Sequence, residues 1–130
     1  MAAVFVVHSQ LHIGAKQAAY HHSRPFIQGR NFMTKAYWVV SYRAIHKPDA
    51  FARYAAVAPA AVQAGGGRFL VRGMAAKVYE AGIQQRVVVI EFDTLAQALA
   101  AHDTPAYQAA LKELDGGAVE RDLRIVEGVA

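Results

Sequence analysis

The sequence predicts an α+β fold in which four strands and two main helices follow the order βαββαβ. Three observations carry this. Arg86-Val87-Val88-Val89-Ile90-Glu91-Phe92 is dominated by branched apolar residues, the composition of a strand covered on both faces. Phe51, Tyr54, Ala55, Ala58 and Val62 recur at spacings of three and four, which places them on one stripe of a helix. Glycine clusters at 65–67 and 116–117 then break the chain where one period gives way to the next.

Taken in order, Lys35 to Arg43 is aromatic and β-branched and forms the first strand. His46-Lys47-Pro48-Asp49 turns the chain, with Asp49 as the expected N-cap of the first helix. Pro59 lacks a backbone donor, so a kink or restart is expected there, and Gly65-Gly66-Gly67 ends the helix. Arg68 to Gly73 and Arg86 to Phe92 are the second and third strands, joined as a hairpin. Thr94 caps the second helix, and Thr104 with Pro105 at its first turn opens a further short helix through Leu114. Asp115-Gly116-Gly117 stops it, and Leu123 to Glu127 is the last strand.

This order folds into a four-stranded antiparallel sheet with the helices on one face, the ferredoxin-like arrangement. Val88, Ile90 and Phe92 point to one side of the third strand and Val87 and Val89 to the other. Neither face suits water, so the face without helices is expected to pack against a second copy of the chain.

The folding pattern begins at Met33. Lys16, Arg24 and Arg30 stand before it without an acid, which leaves eleven basic and ten acidic side chains after it. The net charge of +4 is therefore mostly a property of residues 1–32, and residues 33–130 are nearly neutral. No basic face for phosphates is expected, so nucleic acid is not an expected partner. An apolar fraction of 55% fills a core without disulfides, and the absence of cysteine excludes thiolate chemistry and fits a cytoplasmic setting.

The run Ala2 to Val7 has no charged region before it and is broken by His8, Ser9, Gln10 and His12, so it does not read as an export signal. It is also far shorter than the roughly 20 apolar residues of a membrane span. Residues 1–32 read as an extension from an upstream start or leader, with Met33 as the natural first residue. His8 and His12 share a helical spacing but have no acidic companion, and no metal site is expected of them.

Lys35-Ala36-Tyr37-Trp38, Gly66 to Gly73, Arg86 to Phe92, Pro105-Ala106-Tyr107-Gln108 and Val126-Glu127-Gly128-Val129 together resemble domain-of-unknown-function family 1330. The resemblance covers almost all of Met33 to Ala130. It implies a dimeric α/β barrel, in which two ferredoxin-like subunits pack sheet against sheet. Families of that fold include cofactor-free monooxygenases, muconolactone-type isomerases and dye-decolourising peroxidases, and fold alone does not choose among them. Many relatives carry an aromatic residue where His102 stands and an acidic one where Ala106 stands.

Glu91 shares a face with Val87 and Val89, where an unpaired carboxylate is costly. A tight hairpin sets it opposite Arg72 and a wide one opposite Arg68. The pair either fixes register or an interface, or forms an anion-binding acid/base site for a small carbonyl compound. Tyr37, Trp38, Tyr54 and Tyr107 are candidates for an aromatic pocket between helices and sheet, or for ordinary core. His102 is a candidate general base or a helix-end residue.

No glycine-rich phosphate loop, metal-binding helix motif or nucleophile elbow occurs. His46 and His102 lie in no haem motif, and no cofactor is expected. The expected function is a homodimeric α/β-barrel protein that binds a small aromatic or keto-acid-like molecule, as a cofactor-free isomerase or monooxygenase. The alternative is a non-catalytic structural or ligand-sensing dimer.

Overall fold

The computed structural model describes residues 34–130, so the expectations for the segment before Met33, including His8 and His12, lie outside the described residues. The strands are β1 (Ala36–Ile45), β2 (Arg68–Met74), β3 (Arg86–Phe92) and β4 (Val119–Glu127). The helices are α1 (Pro48–Ala64), α2 (Leu95–His102) and α3 (Pro105–Leu111), the last followed by a 3-10 turn at Lys112–Leu114. The sheet order is β2-β3-β1-β4 with every pair antiparallel, the expected ferredoxin-like topology.

Alternation along β1 builds the core. Ala36, Trp38, Val40 and Tyr42 are buried against the helices, joined from β3 by Val88, Ile90 and Phe92. The helices contribute Tyr54, Ala58, Ala61 and Val62 from α1, Ala98 and Ala101 from α2, and Tyr107 and Ala110 from α3. Small residues on α2 and α3 let these short helices approach the sheet closely enough to enclose Trp38, whose Nε1–H donates to the Ala98 carbonyl at 2.8 Å. That bond satisfies the one polar group of a side chain only 1% exposed.

Thr94 and Thr104 cap α2 and α3 as expected, accepting from the backbone N–H groups of Gln97 and Tyr107. Two local expectations are corrected. Lys47, not Asp49, is the N-cap of α1, because Pro48 has the fixed φ suited to the first helical position and moves the start two residues earlier. Asp49 sits in the first turn instead, where the helix dipole favours an acid. Pro59 does not restart the helix, which runs unbroken from Pro48 to Ala64. Packing of Tyr54, Ala58, Ala61 and Val62 on the sheet offsets the roughly 3 kcal/mol that an interior proline costs.

Gly66 at φ +96° lets the chain leave α1 sharply. Gly67 then passes so close to the core that a Cβ would lie 2.6 Å from Val62 Cγ1 and 2.8 Å from Ile90 Cγ2. No helix among the described residues is long and apolar enough to cross a membrane.

Candidate functional site

The two faces of the sheet divide the candidate residues, and a bulge in β2 makes the division. Arg68 pairs with Glu91 and Phe69 with Ile90, but beyond the irregularity at Leu70 the register shifts, so that Val71 meets Val89 and Arg72 meets Val88. The wide-hairpin expectation is correct in giving Glu91 to Arg68. The expectation that Arg68 and Arg72 share a face is not: the extra residue reverses side-chain parity between them.

On the face without helices, Glu91 accepts from Tyr37 Oη at 3.0 Å and from Arg68 Nε and Nη2 at 3.2 and 3.1 Å. Arg68 also reaches Asp93 at 3.0 Å, and Lys35 reaches Asp93 at 2.9 Å. The Tyr37 hydroxyl and the Arg68 guanidinium hold the Glu91 carboxyl below the usual carboxylate range, and Lys35 and Arg68 do the same to Asp93. The bond to Glu91 raises the Tyr37 hydroxyl in turn. Glu91 retains 21% exposure in the single chain, so the pair is partly wet.

Val39, Val71, Val87 and Val89 lie on this same face. Beside them is a basin of about 580 Å³ between β1, β4 and the β2–β3 loop, bordered by Arg43, Lys77, Tyr79, Ile83, Asp122 and Arg124.

The helix face holds a different constellation, centred on a residue the sequence reading passed over. β4 begins at Val119, four residues before the expected start, because Glu120, Arg121 and Asp122 look too polar for a strand. The alternation of Val119, Arg121, Leu123 and Ile125 is the signal that was available: Leu123 and Ile125 face the core, so Arg121 does too. Its Nη1 donates to Tyr42 Oη at 3.0 Å and Tyr54 Oη at 3.2 Å, and its Nη2 to Tyr107 Oη at 3.3 Å. The hydroxyls of Tyr54 and Tyr107 are themselves bonded at 2.7 Å.

Burial raises both the Tyr54 and the Tyr42 hydroxyls, Tyr54 well above the ordinary tyrosine range, with Arg121 pulling both the other way. Burial alone would lower Arg121, but the oxygens of Tyr54, Tyr42 and Tyr107 outweigh it and hold its proton more firmly. At neutral pH Arg121 is therefore a cation and the Tyr42 and Tyr54 hydroxyls beside it are neutral.

This cluster forms one wall of a cleft of about 50 Å³ between α1 and the sheet. Trp38, Phe51, Val62 and Phe69 supply apolar surface to it, and Arg72 and Arg86 stand beside Arg121 on its lining. The Arg72 guanidinium lies 4.9 Å from the Phe69 ring centroid and that of Arg86 5.4 Å from Phe51.

Of the residues singled out in the sequence, Trp38, Tyr54, Tyr107 and Arg72 thus meet at the cleft, whereas Glu91, Arg68 and Tyr37 are on the other side of the sheet. His102 lines neither space. Its ring packs at 5.9 Å from Trp38 and 5.5 Å from Tyr107, and its Nδ1 is 3.0 Å from Asp103 Oδ1.

Comparison with known proteins agrees with this architecture. A protein of unknown function from Rhodopseudomonas palustris is similar at a TM-score of 0.60 and 16% identity, over 83% of this chain and 94% of that one. A Nitrosomonas europaea protein, provisionally named an antibiotic biosynthesis monooxygenase, is similar at 0.52 and 15% identity, over 75% of this chain and 91% of that one. A Caulobacter crescentus protein with the same provisional name is similar at 0.51 and 14%, over 81% and 99%. At such identities the likeness is one of fold. No curated protein matches the chain. Residues 35–129 match the domain of unknown function DUF1330, and the chain belongs to that family.

Proposed function

We propose that the protein is a homodimeric α/β barrel that binds a small organic molecule in the cleft between α1 and the sheet. The observation that carries this is Arg121, a charged side chain drawn into an aromatic wall and fixed there by three tyrosine hydroxyls. A guanidinium in such a setting is costly unless it serves the fold or a ligand.

The valine surface of the opposite face and the basin beside it supply the matching reason for a dimer, since a second copy would cover both. On that face Glu91, Arg68 and Asp93 are committed to one another, a role suited to holding register and the edge of an interface.

The cofactor-free isomerase or monooxygenase reading is supported by the kind of groups the cleft presents. Arg121 and the tyrosine hydroxyls can stabilise charge developing on a substrate oxygen, the task of an oxyanion site. Glu91 is separated from the cleft by the sheet, and His102 is packed outside the lining against Trp38 and Tyr107.

Native mass spectrometry of the freshly purified full chain tests the reading. Twice the chain mass with a small retained molecule, or a thermal shift with small aromatic and keto acids, is expected. A monomer that retains nothing and responds to none of these compounds would overturn it.

A further inference from the structure

We infer that the cleft takes a carboxylate, with Arg121 as its anchor and two hydroxyl protons, that of Tyr42 and one of the Tyr54–Tyr107 pair, as the further donors around it. The inference rests on the proposed ligand cleft and adds the charge of the molecule that fills it.

The distribution of ion pairs points this way. Arg43, Arg53, Arg68 and Arg124 each pair with an aspartate or glutamate. Arg72, Arg86 and Arg121 have no acidic partner among the described residues, and these three are the arginines that line the cleft. No aspartate or glutamate lines it. Among the described residues, every arginine left without an acid therefore surrounds one space.

The count of protons agrees. A guanidinium carries five N–H donors, and Arg121 commits three to tyrosine oxygens. The Tyr54–Tyr107 bond uses one hydroxyl proton, which leaves the proton of Tyr42 and one of the Tyr54–Tyr107 pair unspent within the cluster. The cluster thus holds a surplus of donors, with no negative charge opposite them. A carboxylate has about four acceptor sites and no donor, and it meets a planar guanidinium in bidentate fashion.

Size and wall chemistry select among anions. A cleft of about 50 Å³ holds roughly three to five waters at the usual 10–15 Å³ each, room for a carboxylate head with the body directed to the mouth. Phe51, Phe69 and Val62 line it with apolar surface, which suits a hydrocarbon or aromatic body. A phosphate also pairs with arginine, but it would leave the apolar lining of Phe51, Phe69 and Val62 without a partner.

The test is isothermal titration of the full chain with benzoate, pyruvate, benzamide and inorganic phosphate. At least one of the two acids should bind, and benzoate should bind at least tenfold more tightly than benzamide. Arg121→Met should lose that discrimination, and Arg86→Met, a change in a partly buried side chain at the start of β3, should weaken it severalfold. Equal binding of benzoate and benzamide would overturn the carboxylate inference while leaving the ligand cleft standing. Phosphate binding more tightly than either acid would replace carboxylate by phosphate. If none of the four binds, the inference fails together with the cleft reading on which it rests.

Discussion

Tyr54 on α1 and Tyr107 on α3 meet hydroxyl to hydroxyl at 2.7 Å, and both accept from Arg121 on β4. One polar cluster therefore ties two helices to an edge strand through otherwise apolar surroundings. Their rings are almost perpendicular, at 75°, with centroids 6.3 Å apart, so aromatic packing adds to the bond.

Tyr54→Phe and Tyr107→Phe are each expected to destabilise the protein by about 1–2 kcal/mol, because each leaves Arg121 one acceptor short in a poorly hydrated place. The two changes share partners and should be strongly non-additive in urea denaturation. Additive effects would mean that the cluster does not act as a unit.

Stability should fall in acid partly through Glu91. The Tyr37 hydroxyl and Arg68 lower its folded pKa, so its contribution is fully present above the unfolded value of about 4.3 and is lost as pH falls through the folded value. The urea midpoint should therefore drop on going from about pH 5 to pH 3. Glu91→Gln should lower the midpoint at pH 7 and flatten that drop. An acid profile unchanged by the substitution would show that the pair has no differential effect.

Gly67→Ala should cost about 1–3 kcal/mol by overpacking, since the added methyl meets Val62, Ile90 and Phe92 at 3.0 Å or less. Gly73→Ala, with nothing within 4 Å of the built Cβ, is the control and should be nearly neutral. Thermal melts of the two variants compare them directly.

Val89 lies between Val39 of β1 and Val71 of β2 on the face without helices. Val89→Asp should dissociate the proposed dimer, as seen by analytical ultracentrifugation at micromolar concentration. A wild-type chain already monomeric there would remove the dimer from the account.

Much of the fold can be read from local patterns. The branched run of β3 has the bounds expected of it, and the threonine caps fall where their side chains can accept from backbone N–H groups. Register was less legible, because a single extra residue at Leu70 separates the faces of Arg68 and Arg72 and leaves no mark in composition.

The candidate site was legible in its aromatic half, Trp38, Tyr54 and Tyr107. Its cationic centre was missed, since an inward arginine between Glu120 and Asp122 resembles a solvated turn until the inward phase of Leu123 and Ile125 is extended back by one step.

Trp38 is the sole tryptophan of the chain and lines the cleft that Arg121 helps to form. Its fluorescence during a titration with benzoate tests the ligand site most directly. A saturable change at one equivalent per subunit, abolished by Arg121→Met, is the predicted result. Calorimetric binding of benzoate that leaves the Trp38 emission unchanged and survives Arg121→Met would place the ligand elsewhere and contradict the account.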